Sequence, residues 1–530
     1  MNKSNLILII SCFLLAVGSG LFANETDPFN KRFSYRGAQY SLSVESSIGI
    51  EGCDIFLTSE KTRKNLSLDF YGENLFPNVQ IHRNYFYVTW ILSRNHQVYG
   101  CYYDSSSGAS HMIPCEGFHF LSRPYLVFQG AYRQPRAMVF LGNRPGIDND
   151  KNNDEVFAYH LGTGRLFNLT KTPENEKLFA VIEENRGFSL RTEAITFHAT
   201  YTIRFPGLNV VNVEKLQKEI KTVSKPTAVT ANAYNTIVAF GDSITWGKMR
   251  MEDLPGEHHP ELAYLGVIQN TLAENYQPVD TVNLGVPGDK TTDAMERLHD
   301  DFTGLEAYFC LIMLGTVDVG QNSFSPESSG ENLEWICLQI RDNYGMYPII
   351  STIPPMKYYL PGVQFFKDYT EILNERIKEM ATENNIPYID TYAAFFEQPD
   401  WEEMLEDIIG KHVVAAHPSP AGHQVIAGLF LPKILELPPQ IPSNIQSFPV
   451  SSHRLNVVWT ENYEFDLSHY VIEYAFSPGN LNRSAETNNS FFSFIRLPFH
   501  SSLPYLYLRI RAVDRDGYSS DFSDVTAEEF

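Results

Sequence analysis

The chain has 530 residues, of which 43% are hydrophobic and 13% aromatic, and a formal net charge of -22. This composition is typical of a globular protein and argues against a disordered one. The length exceeds what one core supports, so roughly two to four domains are expected. A strongly acidic chain without a basic cluster repels phosphate backbones, which argues against a nucleic-acid partner.

The N-terminus has the pattern of a secretory signal peptide, predicted over residues 1–23. Lys3 supplies the charge, Leu6 to Val17 form the apolar segment, and Leu21-Phe22-Ala23 is the predicted cleavage site. The apolar segment is too short to span a bilayer, and no transmembrane segment is predicted elsewhere. We therefore expect an exported protein, periplasmic or extracellular. Acylation of Cys12 is a weaker alternative, because Cys12 lies inside the apolar segment.

Residues 24–207 contain short aromatic and β-branched segments separated by Gly, Asn, Asp and Ser. Three of them are each followed by a polar turn and a return strand, as in propeller blades of four strands. The stretch from Asp154 to Pro173 resembles a blade of the TolB-like propellers. A β-propeller-like domain is therefore predicted, with a β-sandwich as the alternative, and either fold is expected to bind or to act as a scaffold.

One loop in this region has a pattern that calcium sites use. Residues Asp148 to Asp154 place oxygen side chains at alternate positions. The sixth position is Asn153 where Gly is usual, and no Glu stands at the twelfth. A calcium site and a solvated acidic loop both stay open, and no metal or cofactor is assigned.

The cysteines do not form a disulfide framework. Six are present, and loss of Cys12 with the signal peptide leaves an odd number. Cys101 and Cys115 are spaced to close a hairpin in an oxidising compartment. Cys310 and Cys337 lie in apolar patterns typical of buried thiols.

After a predicted linker over residues 208–233, which begins with a short helix over 213–222, strands and helices alternate from residue 234 to 437. This alternation predicts an α/β three-layer domain with a doubly wound parallel sheet. The predicted strands are Thr236–Phe240, Thr281–Leu284, Ala307–Leu314, Tyr347–Ile353 and Pro387–Asp390. The predicted helices are Glu261–Tyr276, Thr292–Phe302, Glu331–Tyr344, Val363–Asn384 and Pro420–Leu435.

Four turn segments of this domain carry the candidate chemistry. In a doubly wound sheet the first three converge at the carboxyl edge, and the fourth packs over it. They are Gly241-Asp-Ser-Ile244, Asn283-Leu-Gly-Val-Pro-Gly288, Leu314-Gly-Thr-Val-Asp318 and His417-Pro-Ser-Pro-Ala-Gly-His423.

In order and residues these segments resemble the GDSL, or SGNH, family of serine esterases and lipases. The resemblance implies that Ser243 is the nucleophile and His417 the general base. It also implies that the backbone N–H groups of Gly288 and Ser243 form the oxyanion hole, and it requires no metal or cofactor.

Two positions depart from the family pattern. Val317 stands where the family has an asparagine that completes the oxyanion hole, and Val414 where it has the aspartate that orients the histidine. Loss of one oxyanion donor costs about 10²–10³ in rate. Loss of the acid of a Ser-His-Asp triad costs roughly 10⁴. The candidate replacements are Gln321 and Asn322 as donors, and Glu406, Asp407 or a main-chain carbonyl as orienters; Asp318 is expected to fix a turn.

Residues 443–530 follow a Pro-rich linker and alternate as half-buried strands. The order of Trp459, Tyr470 and the strand around Tyr507 resembles a fibronectin type III β-sandwich. Such a domain is expected to be a spacer or a binding platform.

Together these patterns predict an exported ester hydrolase acting by Ser-His acyl transfer. The expected substrate is a small-molecule or polymer-linked ester, such as a glycan-linked or lipid acyl ester. The alternative is a catalytically weak or inactive protein of the same fold that binds a glycan or cell-envelope partner, and the Val317 and Val414 replacements support it.

Overall fold

A computed structural model describes most of the chain beyond the predicted signal peptide. No helix in the described part is long and apolar enough to cross a membrane. The described residues are 30–46, 52–70, 72–95, 97–114, 117–129, 134–144, 154–172, 175–184, 186–194, 197–217, 233, 235–249, 256–358, 364–406, 414–451, 454–462, 464–477, 481–495 and 505–529.

The N-terminal region is all β, as predicted, and its described strands form four successive antiparallel meanders. One parallel residue pair, Cys53 with Glu73, joins the first two meanders into a single sheet. The strands are β1 (Asn30–Tyr35), β2 (Ala38–Ser46), β3 (Cys53–Ser59), β4 (Arg63–Asn65), β5 (Glu73–His82), β6 (Tyr85–Arg94), β7 (Gln97–Asp104), β8 (Ala109–Met112), β9 (Phe120–Val127), β10 (Ala137–Asn143), β11 (Glu155–His160), β12 (Arg165–Asn168), β13 (Lys177–Glu184), β14 (Gly187–Glu193), β15 (Phe197–Arg204) and β16 (Asn209–Gln217).

Strand β16 extends this region into the predicted linker. It pairs with β15 from Asn209 to Gln217. The helix predicted over 213–222 is therefore wrong as far as Gln217, and residues 218–222 lie outside the described part. β-Branched valines at positions such as Val211 and Val213 suit a strand, and the neighbouring β15 supplies the ladder.

The central domain is α/β. Each predicted strand and helix occurs, and all except the last helix have one or both ends shifted by a few residues. Its strands are β17 (Thr236–Gly241), β18 (Asp280–Gly285), β19 (Phe309–Met313), β20 (Tyr347–Ser351), β21 (Lys357–Tyr358), β22 (Tyr388–Ile389), β23 (Leu405–Glu406), β24 (Val414–Ala415) and β25 (His417–Pro418). Its helices are α1 (Ser243–Trp246), α2 (Tyr264–Asn275), α3 (Thr291–Phe302), α4 (Thr316–Gln321), α5 (Pro326–Tyr344), α6 (Phe365–Glu383), α7 (Thr391–Phe396) and α8 (Pro420–Leu435), with a 3₁₀ helix at Trp401–Met404.

Five parallel strands form the main sheet in the order β18-β17-β19-β20-β22. Every residue of β17 is buried, because helices cover both faces of the sheet. Val238 and Phe240 share a core with residues of α3, α5 and α6. Ile237 and Ala239 face the opposite core, which includes residues of α2 and α8. The strand order reverses between β17 and β19, so a ligand crevice is expected at their carboxyl ends.

The C-terminal region forms two antiparallel sheets of three and four strands. Leu455 and Phe494 from one sheet share a core with Ile472 and Leu508 from the other, so the sheets face each other. Trp459 meets Tyr470 edge to face, with ring centroids 5.1 Å apart. The strands are β26 (Gln446–Ser451), β27 (Arg454–Val458), β28 (Leu467–Ala475), β29 (Arg483–Thr487), β30 (Phe491–Ile495), β31 (Tyr505–Asp514) and β32 (Thr526–Glu529).

Candidate active site

The first turn of the site holds Ser243 at the carboxyl end of β17. Asp242 caps α1, because its Oδ1 accepts a hydrogen bond of 2.9 Å from the N–H of Ile244. A Cβ at Gly241 would lie 2.1 Å from the carbonyl oxygen of Met313, so only glycine fits there. The chain therefore leaves the strand abruptly and presents Ser243 in a buried turn.

His417 reaches this turn from the far end of the domain. The strand β25 that carries it pairs antiparallel with β23, and Ser419 then caps α8 by accepting a hydrogen bond from the N–H of Gly422. The Nε2 of His417 lies 2.8 Å from the Oγ of Ser243. The structure thus brings the two predicted catalytic residues within hydrogen-bonding distance of each other.

The environment of His417 favours a neutral imidazole. Burial lowers its pKa from 6.5 to about 4, and the positive charge of Lys248 acts in the same direction. The imidazole is therefore uncharged at neutral pH, and its Nε2 is able to accept the proton of Ser243. Lys248, two residues after Trp246, was not identified from the sequence, since nothing local marks its proximity to His417.

The two predicted oxyanion donors are the backbone N–H groups of Ser243 and Gly288. Within the described ranges, the N–H groups of Ser243 and Gly288 donate no hydrogen bond to another residue. Gly288 lies in the exposed turn after β18 with φ of 89°, a backbone conformation that favours glycine. Their joint role as an oxyanion hole stays a prediction.

Of the two predicted replacement donors, Asn322 is engaged elsewhere, and the role of Gln321 stays a prediction. Asn322 is buried, and its Nδ2 donates a hydrogen bond to the carbonyl of Leu121 at 2.8 Å. Because its amide donor is bound to the N-terminal region, the prediction that Asn322 donates to the oxyanion is wrong. Gln321 is exposed at the end of α4. Val317, on the same helix, is half-buried and offers no donor.

No described carboxylate side chain hydrogen-bonds to His417. Glu406 meets His417 through its main chain, in the β23–β25 pair. Asp407 lies outside the described residues. The backbone ladder therefore holds the segment that carries His417.

Other polar residues of the motifs have structural partners. Asp318 accepts hydrogen bonds from the N–H and Oγ1 of Thr291 at 3.0 and 2.8 Å, so it holds the start of α3 against α4. The Nδ1 of His423 accepts a hydrogen bond of 3.2 Å from the N–H of Tyr264. Burial lowers the pKa of His423 to about 3, so it is a neutral packing residue.

In the described part of the chain, no three His, Cys, Asp or Glu side chains are grouped so as to hold a metal ion. Of the predicted calcium loop, residues 148–153 lie outside the described part. Cys115 lies outside it as well, so its pairing with Cys101 stays a prediction. Cys310 and Cys337 are buried, as expected, and burial raises the pKa of both thiols.

Comparison with known proteins supports the same domain. Residues 239–425 match the GDSL-like Lipase/Acylhydrolase family. This segment is a GDSL-like acylhydrolase domain. The uncharacterized lipoprotein YqeF of Bacillus subtilis (strain 168) is 22% identical to the chain over 218 residues, which span 36% of this chain and 86% of that protein.

Solved structures of GDSL-type proteins are also similar. A lipase/acylhydrolase from Enterococcus faecalis is 24% identical with a TM-score of 0.31, covering 38% of this chain and 95% of its own. Axe2, an acetylxylan esterase from Geobacillus stearothermophilus, is 22% identical with a TM-score of 0.30, covering 38% and 94%.

Proposed function

We propose that this GDSL-like domain hydrolyses carboxylic esters by acyl transfer through Ser243 and His417. The observation that carries the proposal is the 2.8 Å contact between the serine Oγ and the histidine Nε2 in a buried turn at the sheet edge. A serine in hydrogen-bonding contact with a neutral imidazole is the basic unit of serine hydrolases.

The proposed steps follow from this contact. His417 Nε2 takes the proton of Ser243 as the Oγ attacks the ester carbonyl carbon. The N–H groups of Ser243 and Gly288 hold the resulting oxyanion. His417 then gives the proton to the leaving alcohol, and water attacks the acyl-enzyme to release the acid and regenerate the serine.

The rate is expected to be lower than that of a complete triad with a three-donor hole. Val317 supplies no third donor, and a histidine with a pKa near 4 is a weak general base. The same features favour the second candidate function, a catalytically weak or inactive domain that binds a glycan or envelope partner. The two candidates differ in whether Ser243 is a reactive nucleophile.

The flanking regions complete the proposal. We infer that residues 24–207 are propeller-like and that residues 443–530 are a fibronectin type III-type sandwich, supported by four four-stranded meanders and by two facing sheets. Such domains suit an exported protein acting on a polymer-linked ester, for example an acylated glycan.

Covalent labelling tests the nucleophile directly. A fluorophosphonate reacts with an activated serine by forming an oxygen–phosphorus bond and releasing fluoride. We expect intact-protein mass spectrometry to show one adduct on the wild type, located at Ser243, and none on Ser243→Ala. His417→Gln should label much more slowly. A folded wild type that remains unlabelled would favour the binding function.

A further inference from the structure

Arg297 contacts the ends of the two strands that precede Ser243 and Gly288, and it was not identified from the sequence. It projects from α3, with its side chain 18% exposed. Its Nε donates to the Oδ2 of Asp289 at 2.6 Å, and its guanidinium also pairs with Asp301. The guanidinium carbon lies 4.4 Å from the centre of the Phe240 ring, which covers one face of the group.

The same guanidinium reaches the ends of two strands. One terminal nitrogen donates to the carbonyl of Gly241 at 3.1 Å and to the carbonyl of Leu284 at 2.9 Å. Gly241 ends β17, two residues before Ser243, and Leu284 lies at the end of β18. Asp289 directly follows Gly288. One side chain therefore joins the chain segments that carry both backbone donors.

Two backbone hydrogen bonds also hold the turn that carries Gly288. Val286 N–H donates to Gly241 at 3.0 Å, and Asp289 N–H closes the turn by donating to Val286 at 3.2 Å. Gly288 is exposed, and a Cβ built on it would meet nothing within 4 Å, so no side chain packs directly against that point. The Arg297–Asp289 pair restrains the residue that directly follows Gly288.

Because Val317 supplies no third donor, the relative position of the Ser243 and Gly288 N–H groups matters more for binding an oxyanion. With Val317 in place of an asparagine, stabilisation of the oxyanion falls on two N–H groups, in the turns that follow β17 and β18. We propose that Arg297 is a positioning residue that fixes the Gly288 N–H relative to the Ser243 N–H. This inference rests on the proposed function, and Arg297 itself does not touch the reacting atoms.

A matched pair of arginine variants separates this role from general stability. Arg297→Lys keeps the charge but cannot reproduce the planar fork that reaches four acceptors. Arg376→Lys makes the same change on α6, where Arg376 is 25% exposed and pairs with Glu334 at 2.9 Å, outside the motif segments. Two quantities are compared, hydrogen exchange of the peptide covering residues 284–290 and steady-state hydrolysis of p-nitrophenyl acetate.

For Arg297→Lys we expect exchange in that peptide to accelerate about tenfold, because the turn loses its anchor. The kcat is expected to fall by about 10², with KM changed by less than about threefold, since donors aimed at the oxyanion act in the transition state. Arg376→Lys should leave both quantities near wild type.

Distinct results contradict the inference and the function it rests on. Unaltered exchange of residues 284–290 in Arg297→Lys overturns the positioning role, whatever the turnover. Faster exchange with an unchanged kcat overturns the link to the oxyanion. A wild-type protein without turnover contradicts the proposed function instead.

Discussion

The carboxylate of Asp154 accepts a hydrogen bond of 2.9 Å from the backbone N–H of Ser325, which lies 171 residues further along the chain. Asp154 ends the segment with the calcium-like pattern, and Ser325 caps the N-terminus of α5. An anionic side chain at a helix N-terminus is stabilising because it satisfies a free N–H and complements the helix dipole. This contact attaches the N-terminal β region to the acylhydrolase domain.

Removal of this acceptor is expected to destabilise the protein. Asp154 is fully buried, so Asp154→Ala leaves the Ser325 N–H without a partner and should cost about 1–3 kcal/mol. Asp154→Asn should cost less, because its amide oxygen still accepts. The measurement is the midpoint of thermal unfolding, with Glu184→Ala at the surface pair with Arg204 as the control. Equal losses in Asp154→Ala and Asp154→Asn would contradict the capping role.

Glu73 makes a similar contact and gives stability a predictable dependence on pH. One of its carboxylate oxygens accepts a hydrogen bond of 2.8 Å from the N–H of Phe365 at the start of α6. Burial raises the pKa of Glu73 from 4.5 to about 7, and the hydrogen bonds from the backbone N–H groups of Gln364 and Phe365 partly offset this rise. Between these values the folded state binds a proton that the unfolded state does not, so stability falls as pH rises through this window.

The corresponding measurement is the melting temperature between pH 5 and pH 8. We expect Glu73→Gln to flatten the decline seen in the wild type, because the variant has no carboxyl to titrate. Parallel profiles for the two proteins would show that Glu73 does not contribute.

The acid limb of catalysis should lie at unusually low pH. The general base must be neutral, and burial holds the pKa of His417 at about 4, assisted by the charge of Lys248. We therefore expect kcat/KM to be flat near neutrality and to fall as the pH decreases, with a midpoint near pH 4.

The contribution of Lys248 can be tested by removing its charge. Lys248→Gln should move the midpoint upward, because the positive charge lowers the pKa of His417. Lys433→Gln on α8 should not move it. A wild-type midpoint near 6.5 would contradict a desolvated base.

Val317 offers a gain-of-function test. By the family resemblance, an asparagine at this position of α4 is expected to restore a side-chain donor to the oxyanion hole. Since one oxyanion donor is worth about 10²–10³ in rate, Val317→Asn should raise kcat by up to that factor. Gln321→Asn, at the exposed end of the same helix, is the matched control and should have no effect. An unchanged kcat in Val317→Asn would show that this position does not face the oxyanion.

The parts of the fold that depend on local patterns could be predicted. The observed helix α8 has the predicted bounds, because Ser419 and Pro420 mark its start within the sequence itself. The strand β17 was predicted to within one residue from its apolar run. The roles of Ser243 and His417 could be assigned from the family resemblance of their motifs, and the topology of a doubly wound sheet predicts that Ser243 lies at its carboxyl edge.

Features that depend on distant partners could not be predicted. The sequence places Asn322 near the oxyanion, but its amide donates a hydrogen bond to the carbonyl of Leu121, 201 residues away in sequence. The sequence predicts a helix over part of β16, but pairing with β15 holds this segment as a strand. The contacts of Arg297 with Gly241 and Leu284 arise only when two strands and a helix come together, since no spacing rule encodes them.

The most direct measurement is hydrolysis of short-chain p-nitrophenyl esters by the purified mature protein, with Ser243→Ala and His417→Ala alongside. The 2.8 Å Ser243–His417 contact predicts turnover in the wild type that is lost in Ser243→Ala and strongly reduced in His417→Ala. All three proteins should show the same circular dichroism. Turnover that persists in folded Ser243→Ala, or that is absent from the folded wild type, would contradict the account.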